Sequence, residues 1–316
     1  MTYDALREKL RTVAFTTTTP FTDDGSQVRY DAIESNVRTL YDAGARVFIP
    51  CGNTGEYYSL STSERVGVVE ATVDALPADA TVIGGAGGST KTAVDLLEAY
   101  EAAGADAGMI MYPRHTYLHE EGLIDYYETL ASATGLGIVV YKRGPLLTER
   151  VLSSVASLES VVAVKYAIND VKTFSALVEN VPGDVVWLNG VAERFAPAYA
   201  LEGAEGFTTG IGNFVPHPVL ALDQALSAED WQRAGRIRTV LRPLEDLREE
   251  DGGGAPFGSA KNVPSVKAGL DRQGLYGGPV REPLVALSAE DRDRVVDHVS
   301  AIENARIASD TAVRTE

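Results

Sequence analysis

The chain has 316 residues, 45% of them hydrophobic, and carries 45 acidic against 28 basic side chains for a formal net charge of −17. A chain of this length and apolar content can bury a large core, whereas the charge argues against a nucleic-acid partner, because phosphate binding needs a positive surface. The single cysteine, Cys51, excludes an intramolecular disulfide and a cysteine-based zinc site.

The N-terminal "MTYDALREKL" carries neither an apolar leader nor a lipidation signal, and no apolar run approaches the roughly 18 residues of a membrane span, so the expected location is the cytoplasm, away from any membrane. From residue 12 to about residue 225, short β-branched runs alternate with segments of helical period, the pattern of a parallel sheet covered by helices. Strands are expected at Val13 to Thr17, Val47 to Cys51, Thr81 to Gly85, Ala107 to Met111, Gly137 to Tyr141, Val161 to Lys165, Val185 to Asn189 and Gly206 to Thr209. Helices fall between them, for example Tyr30 to Ala43, Thr62 to Ala75, Lys91 to Ala103 and Glu120 to Ala133, with apolar residues three and four apart. The α/β class that this predicts is a (β/α)8 TIM barrel, for which roughly 250 residues is typical. After Pro218 the β-runs stop, and helices are expected at Ala228 to Glu249, Val263 to Gln273 and Ser288 to Ile307. Residues 1–225 therefore read as a barrel that holds the catalytic site, and residues 226–316 as a helical subdomain packed on it. The stretch "EEDGGGAPFGSAKNVP" reads as a surface loop and the tail "SDTAVRTE" as frayed.

In such a barrel the chemistry sits at the C-terminal ends of the strands. Those ends show Thr16 to Thr19, Gly52-Asn53-Thr54-Gly55, Gly84-Gly85, Tyr112-Pro113, Tyr141-Lys142, Lys165-Tyr166, Asn189-Gly190 and Thr208-Thr209-Gly210. The stretch "CGNTGEYYSLSTSE" admits two readings: backbone N–H groups and a hydroxyl open to an anion, or a plain strand-to-helix turn capped by Ser61 or Thr62. Lysine closing the apolar "VVAVK" is unusual; desolvation lowers its pKa and leaves an amine able to attack a carbonyl, unless Lys165 merely snorkels to the rim with its stem packed. Lys142, directly after Tyr141, points to the other side of its strand. The four histidines, His115, His119, His217 and His298, do not make a metal set, and no metal or other cofactor is expected.

The elements "TTTTPFTDDGSQV", "GNTGEYYSLSTSER", "YPRHTYLHEEGL", "VVYKRGP", "VVAVKYAIND", "GFTTGIGNFVP" and "VKAGLDRQGLYGGPVREPL", in this order and spacing, resemble the dihydrodipicolinate synthase and N-acetylneuraminate lyase family over nearly the whole chain. "GNTGEYYSL" and Arg143, two residues after Tyr141, are most similar to the branch that dehydrates 5-dehydro-4-deoxyglucarate. The resemblance implies that Lys165 forms a Schiff base with a 2-oxo acid and that Tyr141 shuttles protons. It implies that Asn53 and Thr54, with Gly52 and Gly55 around them, hold the substrate carboxylate, that Thr209 and Gly210 belong to the binding site, and that Glu56 ties the loop down. The protein is expected to be a homo-oligomer, a tetramer by resemblance.

Three departures stand out. Asn53 replaces a second Thr or Ser, His115 stands near the position of a tyrosine that neighbouring subunits contribute, and Leu146 replaces a carboxylate-binding arginine, a task left to Arg143 at the distal end of the substrate. The expected activity is dehydration or aldol cleavage of a 2-keto-3-deoxy sugar acid by a class I lyase. The alternatives are a 4-hydroxy-tetrahydrodipicolinate synthase, which Asn53 and Leu146 argue against, and a catalytically silent barrel that binds a small molecule.

The charge generates its own prediction. A chain at −17 with seven lysines reads as adapted to a salt-rich cytoplasm, since screening relieves self-repulsion over distances beyond about 10 Å at 0.1 M salt. The melting temperature is expected to rise from low to molar KCl; a flat profile contradicts salt adaptation.

Overall fold

Short β-branched runs that are apolar throughout must be covered on both faces, and runs joined by amphipathic helices can pair only in parallel. The computed structural model describes residues 1–113, 115–251, 259–305 and 307 and has eight parallel strands in a closed barrel, each paired with its sequence neighbours. They are β1 (Val13–Thr16), β2 (Val47–Ile49), β3 (Thr81–Ala86), β4 (Ala107–Ile110), β5 (Gly137–Lys142), β6 (Val161–Tyr166), β7 (Val186–Asn189) and β8 (Gly206–Thr209). The helices are α1 (Tyr3–Leu10), α2 (Tyr30–Asp42), α3 (Thr62–Ala75), α4 (Thr90–Ala103), α5 (Glu120–Ala133), α6 (Glu149–Ala156), α7 (Val171–Asn180), α8 (Ala196–Leu201), α9 (Pro216–Ser227), α10 (Trp231–Arg248), α11 (Asn262–Arg272) and α12 (Ala289–Asn304). The (β/α)8 barrel expected from the pattern is thus the architecture.

Element ends differ by a few residues, for physical reasons. β2 stops at Ile49 because Pro50 lacks an N–H and Cys51 turns left-handed, with φ of 56°. β5 and β6 each run one residue past the expected ends, to Lys142 and Tyr166, which pair with each other. Helix α9 was not in the pattern, since "VPHPVLAL" places two prolines in its first turn; there their missing N–H groups would be unpaired anyway. Most of the glycine-rich stretch after α10 and the tail lie outside the described residues.

The C-terminal helices do more than cover the barrel. α10 packs on α9 and α12, and α11 packs on α12 and on the turn that follows β8. The segment after α11 then crosses the loops that follow β1 and β2. Tyr276 Oη donates to Phe21 O at 2.8 Å. The Arg281 guanidinium bonds Gly25 O, Ser26 O and Ser59 O and pairs with Glu64 at 2.7 Å. Beneath this strap Lys267 Nζ lies 2.6 Å from Glu56 Oε1, with both side chains no more than 2% exposed. Glu56 Oε2 accepts from Arg281 N at 3.0 Å, and Lys267 also donates to Pro279 O at 2.6 Å. Burial pushes the Glu56 carboxyl up and the Lys267 ammonium down, and their mutual attraction offsets part of both shifts.

Removing one partner of a buried pair leaves an uncompensated charge and costs about 3–5 kcal/mol, whereas an apolar pair of similar volume can be neutral. Lys267→Met is therefore expected to lower the unfolding free energy by about that amount, and Glu56→Leu/Lys267→Met to recover most of it. Denaturant titration of the two variants checks this; equal losses in both would show that the charge pairing is not what matters.

Candidate active site

β-Strand alternation decides which side chains enter the barrel. Tyr141 on β5 and Lys165 on β6 are direct register partners, so their side chains project to the same side and enter the barrel together. The next pair, Lys142 and Tyr166, points outward. Lys142 Nζ donates to Leu147 O at 2.6 Å and Gly144 O at 3.1 Å, and the Tyr166 ring packs against Phe174 and Tyr199. The two lysines near these strand ends are thus separated by face, as alternation requires.

Lys165 is 6% exposed, and its Nζ stands 4.9 Å from the centroid of the Tyr141 ring. Among the described residues it has no carboxylate partner. Desolvation, helped by the nearby Arg143 charge, lowers its pKa to about 7. Half of such an amine is neutral at that pH, and the neutral form is the nucleophile.

The Tyr141 hydroxyl accepts two hydrogen bonds, from Asn53 Nδ2 at 3.0 Å and from Arg143 Nη1 at 3.2 Å. With both donors on the phenol oxygen, the phenolic hydrogen is left for another acceptor. The Arg143 pKa is raised, chiefly by Tyr141. Arg143 thus bonds the tyrosine and acts on the lysine, a position closer to the reacting end than sequence alone suggested.

Of the two readings of the loop after β2, the helix cap is seen directly. Ser61 caps α3 in a capping box, its hydroxyl accepting from Glu64 N while Glu64 Oε2 accepts from Ser61 N at 2.8 Å. Upstream, Tyr57 N–H bonds Gly52 O and Glu56 N–H bonds Asn53 O, each at 3.1 Å. Among the described residues the N–H groups of Asn53, Thr54 and Gly55 find no acceptor. Gly55 sits so close to the chain behind it that a Cβ would lie 3.0 Å from Thr17 O and Cys51 N, which disfavours a side chain there. Cys51 itself is sealed, its thiol pushed up to about 12 by burial, so it is packing and not a nucleophile.

A string of hydroxyls closes the ring. Thr16 Oγ1 lies 3.2 Å from Thr54 Oγ1 and 2.5 Å from Thr209 O, and its one hydrogen can be donated to either. Thr209 Oγ1 accepts from Gly212 N–H at 2.7 Å. Gly52, Asn53, Thr54, Gly55, Tyr141, Arg143, Lys165, Thr209 and Gly210 all lie at the C-terminal ends of their strands or in the loops that follow. Thr16 joins them although it was not singled out; its signal was the run "TTTTP" closing β1. His115 stands on an exposed loop, where Nδ1 accepts from Tyr117 N–H at 3.1 Å, and His119 caps α5. Among the described residues no group of His, Cys, Asp and Glu could hold a metal ion.

Comparison with known proteins agrees with this geometry. The dihydrodipicolinate synthetase family model matches residues 9–302. A probable 5-dehydro-4-deoxyglucarate dehydratase of Streptomyces griseus is 34% identical over 301 residues, covering 92% of each chain. A 4-hydroxy-tetrahydrodipicolinate synthase of Archaeoglobus fulgidus is 32% identical over 292 residues, covering 90% of this chain and 96% of its own. The crystal structure of dihydrodipicolinate synthase from Oceanobacillus iheyensis superimposes with a TM-score of 0.89 at 30% identity, over 96% of this chain and 99% of that one. A barrel with a desolvated lysine and a doubly bonded tyrosine in register, matched over almost its whole length by these proteins, belongs to the dihydrodipicolinate synthetase family.

Proposed function

We propose that this protein is a class I lyase that joins Lys165 to a 2-oxo acid and dehydrates or cleaves a 2-keto-3-deoxy sugar acid. The observation that carries the reading is Lys165 itself, an amine lowered to about pKa 7 by burial and Arg143, in register with Tyr141. The amine attacks the ketone carbon, and Tyr141 gives its proton to the departing oxygen, so that the carbinolamine loses water and leaves an iminium. The phenolate that remains keeps its hydrogen bonds from Asn53 and Arg143, both stronger to the charged oxygen. The iminium draws electrons from the adjacent carbon. Loss of a proton there to the Tyr141 phenolate gives an enamine, and the re-formed phenol returns the proton to the β-hydroxyl, which leaves as water; in the aldolase direction the phenolate takes the β-hydroxyl proton instead, and the enamine forms as the next C–C bond breaks.

The substrate carboxylate is assigned to the free N–H groups of residues 53–55 and the Thr54 hydroxyl, with Thr209 and Gly210 across the mouth. The unused nitrogens of the Arg143 fork extend this to a distal carboxylate or hydroxyl pair. Dehydration is favoured because Leu146 is apolar where the lysine-biosynthesis reaction would want an arginine, and because the Streptomyces griseus relative bears a dehydratase name. The synthase reading is second, supported by the Archaeoglobus fulgidus relative. No cofactor takes part in the proposed chemistry. We further propose a salt-adapted cytoplasmic enzyme that assembles as a homotetramer, its residues 226–316 working as one unit with the barrel. The exposed rings of Tyr58 and Tyr117, at 53% and 88%, are natural contact points for a neighbouring copy.

Incubation with pyruvate and borohydride is expected to give one reduced adduct, mapped to Lys165 and absent from Lys165→Ala. An adduct of equal yield in that variant would refute the assignment. In Arg143→Gln the acid limb of the trapping rate is expected to move to higher pH, because the charge that helps to lower Lys165 is gone; an unmoved limb would mean that burial alone sets it. A panel of 2-keto-3-deoxy sugar acids, followed for water loss against pyruvate release, and pyruvate with aspartate semialdehyde, followed for condensation, separate the three activities.

A further inference from the structure

Between β5 and α6 the chain runs through Arg143, Gly144, Pro145, Leu146 and Leu147, and among the described residues none of them gives or takes a backbone–backbone hydrogen bond. A loop in that state takes its shape from side chains. Two supply it. Lys142, the last residue of β5, donates from Nζ to Leu147 O at 2.6 Å and to Gly144 O at 3.1 Å. Tyr112, just past β4, accepts from Leu146 N–H at 2.7 Å, and its ring lies so close to the loop that a Cβ on Gly144 would be 2.5 Å from the hydroxyl oxygen.

Lysine is a costly residue for a covered strand face. Lys142 is 5% exposed, burial pushes its ammonium down, and no charged group offsets that shift. Leucine or valine would cover the same face without the penalty. What the ammonium adds is several donors on a long stem, so that one residue serves two carbonyls at once. The shape of the loop matters because of what stands at its start. Strand alternation sends Tyr141 into the barrel and Lys142 out, and the chain then leaves the sheet, so the loop and not the ladder sets the place of Arg143. There Arg143 Nη1 donates to Tyr141 Oη at 3.2 Å, and its charge helps to lower Lys165.

We propose that Lys142 and Tyr112 are positioning residues of the active site, which together fold the loop after β5 so that the Arg143 guanidinium is held on the Tyr141 hydroxyl and near Lys165. The role rests on the part given to Arg143 and Tyr141 in the proposed chemistry. Lys142 stays on the outer face of the barrel and acts through Arg143. The outward side chain of β5 thereby controls the surroundings of the inward one.

The test uses the full-length protein as wild type, Lys142→Met, Lys142→Arg, Tyr112→Phe, Arg143→Gln and the double variant Lys142→Met/Arg143→Gln. Lys142→Met keeps an apolar stem without donors, Lys142→Arg keeps donors, and Tyr112→Phe keeps the ring without the acceptor. Two readouts are taken: the titration of Lys165 followed by 13Cε labelling, and the rate at which cyanoborohydride traps the pyruvate adduct at neutral pH. In Lys142→Met the Lys165 pKa is expected to rise as it does in Arg143→Gln, and trapping to slow by about tenfold, the scale of one hydrogen bond lost at a positioned group. Lys142→Arg is expected to recover most of the wild-type value in both readouts. The double variant is expected to go no further than Arg143→Gln alone, because both changes remove the same contact. Tyr112→Phe moves in the same direction and decides the matter if Lys142→Met does not fold.

An unmoved Lys165 in folded Lys142→Met, or in Tyr112→Phe where Lys142→Met does not fold, would overturn the proposal. Shifts that add in the double variant would overturn it too, since Lys142 would then act by its own charge or by loosening the barrel at large. If wild type forms no adduct and Lys165 titrates with the exposed lysines, the Schiff-base reading falls. A crystal structure of Lys142→Met, or of Tyr112→Phe in its place, then still judges the loop: Arg143 is expected to leave Tyr141, and an Arg143 that stays would overturn the positioning role as well.

Discussion

A lysine ammonium taken out of water without a carboxylate to meet it is the constraint around which this barrel is arranged. Three buried lysines face the same desolvation cost and meet it differently. Lys142, on the outward face of β5, gives its protons to the carbonyls of Leu147 and Gly144. Lys267, under the C-terminal strap, pairs with Glu56. Lys165 has neither solution and has the guanidinium of Arg143 for a neighbour, so its pKa falls to about 7 and the ammonium is held only in part. One residue type becomes a loop anchor, half of an ion pair or an amine of lowered pKa according to the face of the strand or helix that carries it.

The same economy links the C-terminal helices to the chemistry. The loop that offers its N–H groups after β2 is short of internal bonds, and it is held from outside by Glu56, which Lys267 and Arg281 N engage, and by Thr19, whose hydroxyl donates to Gly55 O at 2.7 Å. The strap after α11 thus fixes the positions of Asn53 and Thr54 from behind. α10 does the same for β8 through Arg248 and Gly210. Helices outside the eightfold repeat set the geometry of two sides of the barrel mouth, while β5 and β6 need only their own register.

Much of this was legible in the chain. Short β-branched runs joined by period-3.6 segments specify a parallel barrel, the strand-end rule puts Lys165 and Tyr141 among the candidates, and the family resemblance supplied their roles. The loop after β2 was ambiguous because an anion-holding turn and a helix cap use the same residue types; the structure caps α3 with Ser61 and Glu64 and, among the described residues, leaves the N–H groups of Asn53, Thr54 and Gly55 without an acceptor. Helix α9 was hidden by its two prolines, which as local signals mark a break. Arg143 was seen, but its hydrogen bond to Tyr141 depends on where the chain goes after leaving β5. The burial of Glu193 and Arg248 could not be read, since a glutamate in "VAERF" and an arginine in "EDLREE" look like solvated surface until the fold brings α10 against β8.

The account depends most on the protonation state of Lys165, which can be measured without knowing the substrate. With seven lysines in the chain, 13Cε labelling gives a spectrum simple enough to titrate, and Lys165→Arg identifies the signal concerned. The structure predicts one resonance that titrates near pH 7 in the free enzyme. A Lys165 signal that titrates near 10, with the solvent-exposed lysines, would contradict it.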